Sequence, residues 1–134
     1  MPQDRAIGAF ADKFGRDNAR HLAVVLKAKL IFPTASNEAL FRGKKTVLKS
    51  CKRGTTQVGV SYRMLEHLDT VIAAFEGEDG KWTVFELLAE RFRREERETA
   101  SRGSSAGKVG VVSKKLFQAQ GEGLGTFALP TRQG

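Results

Sequence analysis

Between residues 40 and 63 the sequence carries Arg42, Lys44, Lys45, Lys49, Lys52, Arg53 and Arg63 and no acidic residue, a block of formal charge +7. Ammonium and guanidinium groups at this density neutralise phosphate oxygens and displace condensed counterions, the chemistry of nucleic-acid binding. Residues 64–90 reverse the sign, with seven acids against Lys81 alone. Residues 99–134 return to positive, with Arg102, Lys108, Lys114, Lys115 and Arg132 against Glu122. Two readings follow: the basic block is a phosphate-binding ribbon, or the basic and acidic stretches pair with each other across the fold.

Catalytic chemistry finds no comparable constellation. His21 and His67 stand alone, with no second ligand at i+3 or i+4, and Cys51 sits among lysines without a nearby histidine or second cysteine to make it a nucleophile. Gly103, Gly107 and Lys108 imitate a phosphate loop, but only three residues separate the glycines and Val109 stands where Ser or Thr holds magnesium. Gly121, Gly123 and Gly125 miss the dinucleotide spacing. The sequence therefore predicts no enzyme, no metal ligands and no cofactor.

Elements must position the basic side chains, and periodicity supplies them. Ile7, Phe10, Ala11 and Phe14 fall at i, i+3, i+4 and i+7 and predict a helix over 4–14. A second helix is expected from a cap at Asp17 or Asn18, through Leu22, Val25, Leu26 and Leu30, to Phe32, where Pro33 ends it. A short helical turn over 36–41 with Gly43 as its cap comes next. Thr46, Val47 and Leu48 then read as strand, and residues 57–62 alternate strictly, with Val58, Val60 and Tyr62 on one face. Residues 52–55 form the turn between them, so the two strands make a hairpin in one chain unless the second pairs with its twin. A helix through Met64, Leu65, Leu68, Val71, Ile72 and Phe75 is expected, then a polar loop over 76–81. Thr83 and Glu86 form a capping box for a last helix through Val84, Leu87, Leu88 and Phe92.

The strand, helix, loop and Thr-initiated helix over 57–94 resemble the ribbon-helix-helix DNA-binding family. That resemblance implies a homodimer whose paired strands lie in the major groove, with Gln57, Gly59 and Ser61 facing DNA and Val58, Val60 and Tyr62 sealing the core. It also implies a phosphate held at the start of the second helix, where Thr83 and Val84 stand.

The chain of 134 residues, 40% of them apolar, is long enough for one domain with a modest core. The fold class expected is α+β: an N-terminal helical hairpin, a short basic β-ribbon or hairpin, two helices and a C-terminal β-hairpin. The domain is expected over 1–98 and a flexible linker over 99–107. Residues 108–134 are then a basic extension, either strands added to the sheet or a tail that orders on binding. One cysteine excludes an internal disulfide, and residues 1–16 lack the features of a signal peptide. No apolar stretch is long enough to span a bilayer. A cytoplasmic protein without a membrane partner is expected. Its expected function is DNA binding, sequence-specific or accessory and regulatory, through Lys44, Lys45, Lys49, Lys52, Arg53, Gln57, Ser61, Arg63 and Thr83. The alternatives are a non-enzymatic protein-interaction module, such as an inhibitor or a phage or plasmid accessory factor, and a protein binding RNA or single-stranded nucleic acid.

Overall fold

The computed structural model describes residues 18–31, 37–98 and 109–128. The helix expected over 4–14 and the linker expected over 99–107 lie outside these residues. In chain order the elements are α1 (18–26), β1 (Lys29–Leu30), β2 (Glu38–Phe41), β3 (Lys44–Cys51), β4 (Gln57–Ser61), α2 (Tyr62–Leu65), β5 (Thr70–Glu76), β6 (Lys81–Leu88), α3 (Ala89–Glu95), β7 (Arg97–Glu98), β8 (Val109–Ser113), α4 (Lys114–Gln120) and β9 (Glu122–Ala128).

The expected helical hairpin gives way to strands. Helix α1 forms because Ala19, Leu22, Ala23 and Leu26 repeat at i, i+3, i+4 and i+7 and are all buried. It ends at Leu26, short of Phe32, because Lys27 turns to φ +58°. There the Lys27 N–H donates to the Val24 carbonyl at 3.2 Å and the Ala28 N–H to the Ala23 carbonyl at 2.8 Å, closing the last turn. The turn of helix expected over 36–41 is replaced by strand β2. Gly43 at φ +78° and Arg42 at φ +52° form the two-residue loop between β2 and β3. Positive φ at both positions matches strand twist, so Gly43 closes a hairpin rather than a helix.

Two sheets result. The larger has the order β1-β2-β3-β5-β6-β9 and the smaller β4-β8-β7. All pairs are antiparallel except β3 with β5, which run parallel with Thr46 opposite Thr70 and Cys51 opposite Phe75. The turn over 52–55 is present, with the Thr55 N–H on the Lys52 carbonyl at 3.0 Å. The strands it joins nevertheless enter different sheets, so the basic hairpin expected between β3 and β4 does not form.

The helix expected through Met64 to Phe75 shrinks to the single turn of α2. Strand β5 replaces its remainder, with Thr70 to Phe75 all buried. A strand covered on both faces is apolar at nearly every position, so it fills helical spacings as readily as strand spacings. Strand β6 replaces the Thr83-initiated helix: Trp82, Val84 and Glu86 are buried while Thr83 and Phe85 are half-buried, a period of two. The pair Thr83 and Glu86 therefore lies in a strand, and the helix starts at Ala89. Over 57–94 the order is strand, helical turn, two strands and helix, where the ribbon-helix-helix resemblance implies strand, helix and helix.

The C-terminal hairpin is likewise replaced. Strand β8 pairs with β4, and β9 pairs with β6, with α4 between them. Apolar side chains fill both faces of the larger sheet. On one, Leu48, Ile72, Trp82 and Val84 pack with Ala19 and Leu22 of α1. On the other, Val47, Val58, Val60, Val71, Phe75, Phe92 and Phe117 join the larger sheet to the smaller sheet and to α3 and α4. Phe117 sets its ring edge-on to Phe75 and Phe92, with centroids 5.9 and 6.2 Å away, a favoured geometry for aromatic pairs. Phe117→Ala should therefore cost about 3–5 kcal/mol, read as a lower denaturant midpoint with an unchanged slope. A loss under about 1 kcal/mol, the scale of a surface change, would mean that α4 is not part of the core.

Candidate nucleic-acid interface

The nine side chains expected to hold nucleic acid do not share one ribbon. Strand β3 alone, running from Lys44 to Cys51, has its two ends about 23 Å apart at a rise of about 3.3 Å per residue. At its start the Lys44 ammonium sits 3.0 Å from Oε2 of Glu86, a buried carboxylate of β6. The Lys45 main-chain N–H donates to Asp69 Oδ2 at 2.9 Å, while its side chain is exposed. Ser61 is occupied structurally, its Oγ accepting the Met64 N–H at 3.1 Å as the cap of α2, and Arg63 is exposed on that helix. Thr83 lies within β6 with its Oγ1 3.3 Å from that of Thr126, so no helix start is available there to hold a phosphate.

The far end of β3 gathers the rest. Lys52 and Arg53 occupy the exposed turn after Cys51, where the Arg53 main-chain N–H donates to Glu76 Oε1 at 3.1 Å. Gln57 opens β4 as its one exposed residue. Its register partner is Ser113, the last residue of β8, so the pairing of β4 with β8 brings the start of α4 to Gln57. The Lys114 N–H donates to the Thr56 carbonyl at 2.8 Å, and Ser113 Oγ accepts the Leu116 N–H at 3.2 Å, which caps α4. These bonds fix a cleft of about 360 Å³ lined by Thr56, Gln57, Ser113, Lys114, Lys115 and Gln118. Among the described residues its lining holds two ammoniums, two carboxamides, two hydroxyls and no carboxylate. A smaller cleft of about 140 Å³ adjoins it across Gln57 and contains Glu95.

Lys114, Lys115 and Gln118 are not among the expected site residues. The positive charge of their segment is visible in the sequence. Their approach to Gln57 depends on a register between residues 57 and 113 that no local pattern encodes.

Beneath the cleft, on the face of β3 shared with Val47, stand Lys49 and Cys51. The Lys114 Nζ lies 5.4 Å from the ring centroid of Phe75, the register partner of Cys51, within reach of a cation–π attraction. Burial pushes the Lys49 ammonium below the ordinary lysine value, partly offset by Cys51. Burial also pushes the Cys51 thiol up from 9.0 to about 11, against the opposing pull of Lys49 and Lys114. The two groups act on stability with opposite signs. The raised thiol contributes stability that is complete below about pH 9 and is lost as pH rises through about 11. The lowered amine carries a penalty at neutral pH that is relieved as pH rises toward 10.5.

Among the described residues no group of three or more metal-ligating side chains occurs, and no helix is long and apolar enough to cross a membrane. No protein-family model matches the sequence, and no curated protein matches it at a significant level.

Two measurements check Lys49 and Cys51. At pH 8 the native protein should be alkylated at Cys51 about a hundredfold more slowly than the unfolded chain, because the thiolate fraction falls by that factor when the pKa moves from 9.0 to about 11. Equal rates would show an accessible thiolate. Lys49→Met should raise the denaturation midpoint at neutral pH and narrow that gain as pH approaches the ordinary lysine value. A lower midpoint at neutral pH would mean that the ammonium is stabilised where it stands.

Proposed function

We propose that the protein binds nucleic acid, with the cleft between β4 and α4 as its principal contact. The observation that carries this reading is the composition of that cleft: Lys114 and Lys115 beside the carboxamides of Gln57 and Gln118, with no carboxylate in the lining. Ammonium groups attract phosphate oxygens from any sequence, whereas a carboxamide both donates and accepts and so matches the edge of a base. Lys52 and Arg53, in the exposed turn that leads to Thr56, extend the positive surface and steer the polyanion toward the cleft. Lys44 has no such role, since its ammonium neutralises the buried Glu86. The proposed contact takes Lys52, Arg53 and Gln57 from the nine expected residues and adds Lys114, Lys115 and Gln118.

Affinity should fall linearly on logarithmic axes as salt rises, each neutralised phosphate contributing about −0.9 to the slope on duplex and about −0.7 on single strands. The double variant Lys114→Ala, Lys115→Ala should flatten that slope by about 1.4–1.8 units, and Arg53→Ala by about half as much. Lys44→Ala should leave the slope unchanged while lowering stability, because it leaves the Glu86 carboxylate buried and unpaired. Absence of binding to DNA and RNA at low salt would overturn the proposal.

A further inference from the structure

We infer that the cleft between β4 and α4 receives a single unstacked nucleotide of a single strand, its phosphate on Lys114 and Lys115 and its base edge on Gln57 and Gln118. This rests on the nucleic-acid reading above and specifies what that surface takes.

The shape of the surface favours a single strand. Reading a duplex through the major groove requires a helix or ribbon that projects far enough to enter it. Strand β4 presents no such face: Val58 and Val60 are 1% and 2% exposed, and Gly59 and Ser61 are half-buried, which leaves Gln57 alone in solvent. Helix α4 spans only Lys114–Gln120, and Phe117 anchors it in the core. At a rise of about 1.5 Å per residue such a helix is about 10 Å long. The surface is concave where a groove reader is convex. The cleft, at about 360 Å³, lies within the range of about 300–1,000 Å³ typical of small-ligand sites. A base within a duplex is stacked and cannot enter it, whereas a base of a flexible strand can turn out of the stack.

Chemistry then sets the orientation. Phosphate is attracted to the side of Lys114 and Lys115 and repelled from the side of Glu95, which borders the adjoining cleft across Gln57. That polarity directs the base toward Gln57. Among the described residues no aromatic lines the cleft, so the base is held by its edge and by the methylene stems of the lysines and glutamines rather than by ring stacking. The Ser113 hydroxyl accepts the Leu116 N–H and keeps its own proton for donation to the ligand.

Fluorescence anisotropy with a short labelled oligothymidylate, a blunt duplex of equal length and unlabelled dTMP as competitor tests the inference on the full chain. The strand should bind at least about tenfold more tightly than the duplex, and dTMP should displace it. Gln57→Ala and Gln118→Ala should each weaken strand binding by about tenfold while leaving the salt slope and the duplex affinity unchanged, because a carboxamide carries no charge. Gln118 is exposed on α4, so its variant keeps the test valid if Gln57→Ala disturbs β4. Duplex binding equal to or tighter than strand binding, with no competition by dTMP, would overturn the single-nucleotide inference and leave the nucleic-acid reading standing. Binding of dTMP without binding of either polymer would overturn the strand as the source of the nucleotide. Failure of all three probes to bind would overturn both.

Discussion

The parallel pairing of β3 with β5 is the constraint from which the rest of the architecture follows. Two parallel neighbours cannot be joined by a tight turn, so the chain must leave the sheet at Cys51 and return at Thr70 by a crossover. Here the crossover contains β4 and α2 in place of a single helix. Val58 and Val60 on β4 are buried against the larger sheet, and the backbone of β4 needs a ladder partner. That partner, β8, comes from far along the chain. The segment carrying β8 then uses α4 to cover Phe75 and Phe92 and β9 to extend the larger sheet beyond β6. The last stretch of the described chain thus closes both sheets, and the cleft is the seam where it does so.

The same topology disposes of much of the charge segregation. Because β3 lies beside β5, and β6 beside β5, the basic and acidic stretches become neighbours in space. The Lys44 ammonium meets Glu86, while the main-chain N–H groups of Lys45 and Arg53 meet Asp69 and Glu76. His67 Nε2 lies 2.6 Å from Glu38 Oε1, tying the loop before β5 to β2. Pairing across the fold therefore accounts for part of the pattern. The basic groups of α4 stand away from these contacts, and there the charge faces a concave surface whose lining holds no carboxylate.

Legibility in the sequence follows whether an element has one buried face or two. Helix α1 and strand β4 each show a single buried face, and their periods of 3.6 and 2 are legible in Leu22 and Leu26 and in Val58 and Val60, although Ala19 and Ala23, not Val25 and Leu30, complete the buried stripe of α1. Strand β5 is buried on both sides, so Val71, Ile72 and Phe75 thread onto a helix with nothing local to object. In β6 the separation of Thr83 and Glu86 imitates a capping box, although the alternating burial from Trp82 to Glu86 obeys the strand period. Gln57, Lys52 and Arg53 are recognisable from residue type and from their place beside a turn. Lys114, Lys115 and Gln118 are not, since their place beside Gln57 is a consequence of long-range pairing, which is decided by the packing of the whole chain.

The two parts of the proposed surface differ in how firmly they are held, and the difference suits their roles. Lys52 and Arg53 sit in an exposed turn, where long cationic side chains reach a polyanion at a distance but fix little geometry. Gln57, Lys114, Lys115 and Gln118 stand on a strand and a helix locked together by the β4–β8 ladder, by the bond from Lys114 to the Thr56 carbonyl and by the Ser113 cap, with Phe117 anchoring the helix below. Such a frame fixes the backbone from which these side chains reach, which an exposed turn does not. Lys114 has the least freedom of the four, its ammonium lying over the Phe75 ring at the point where β3 ends. In the proposed function, steering falls to the turn and recognition to the seam between the sheets, an arrangement that arises once β4 is committed to the second sheet by the crossover that the parallel pair requires.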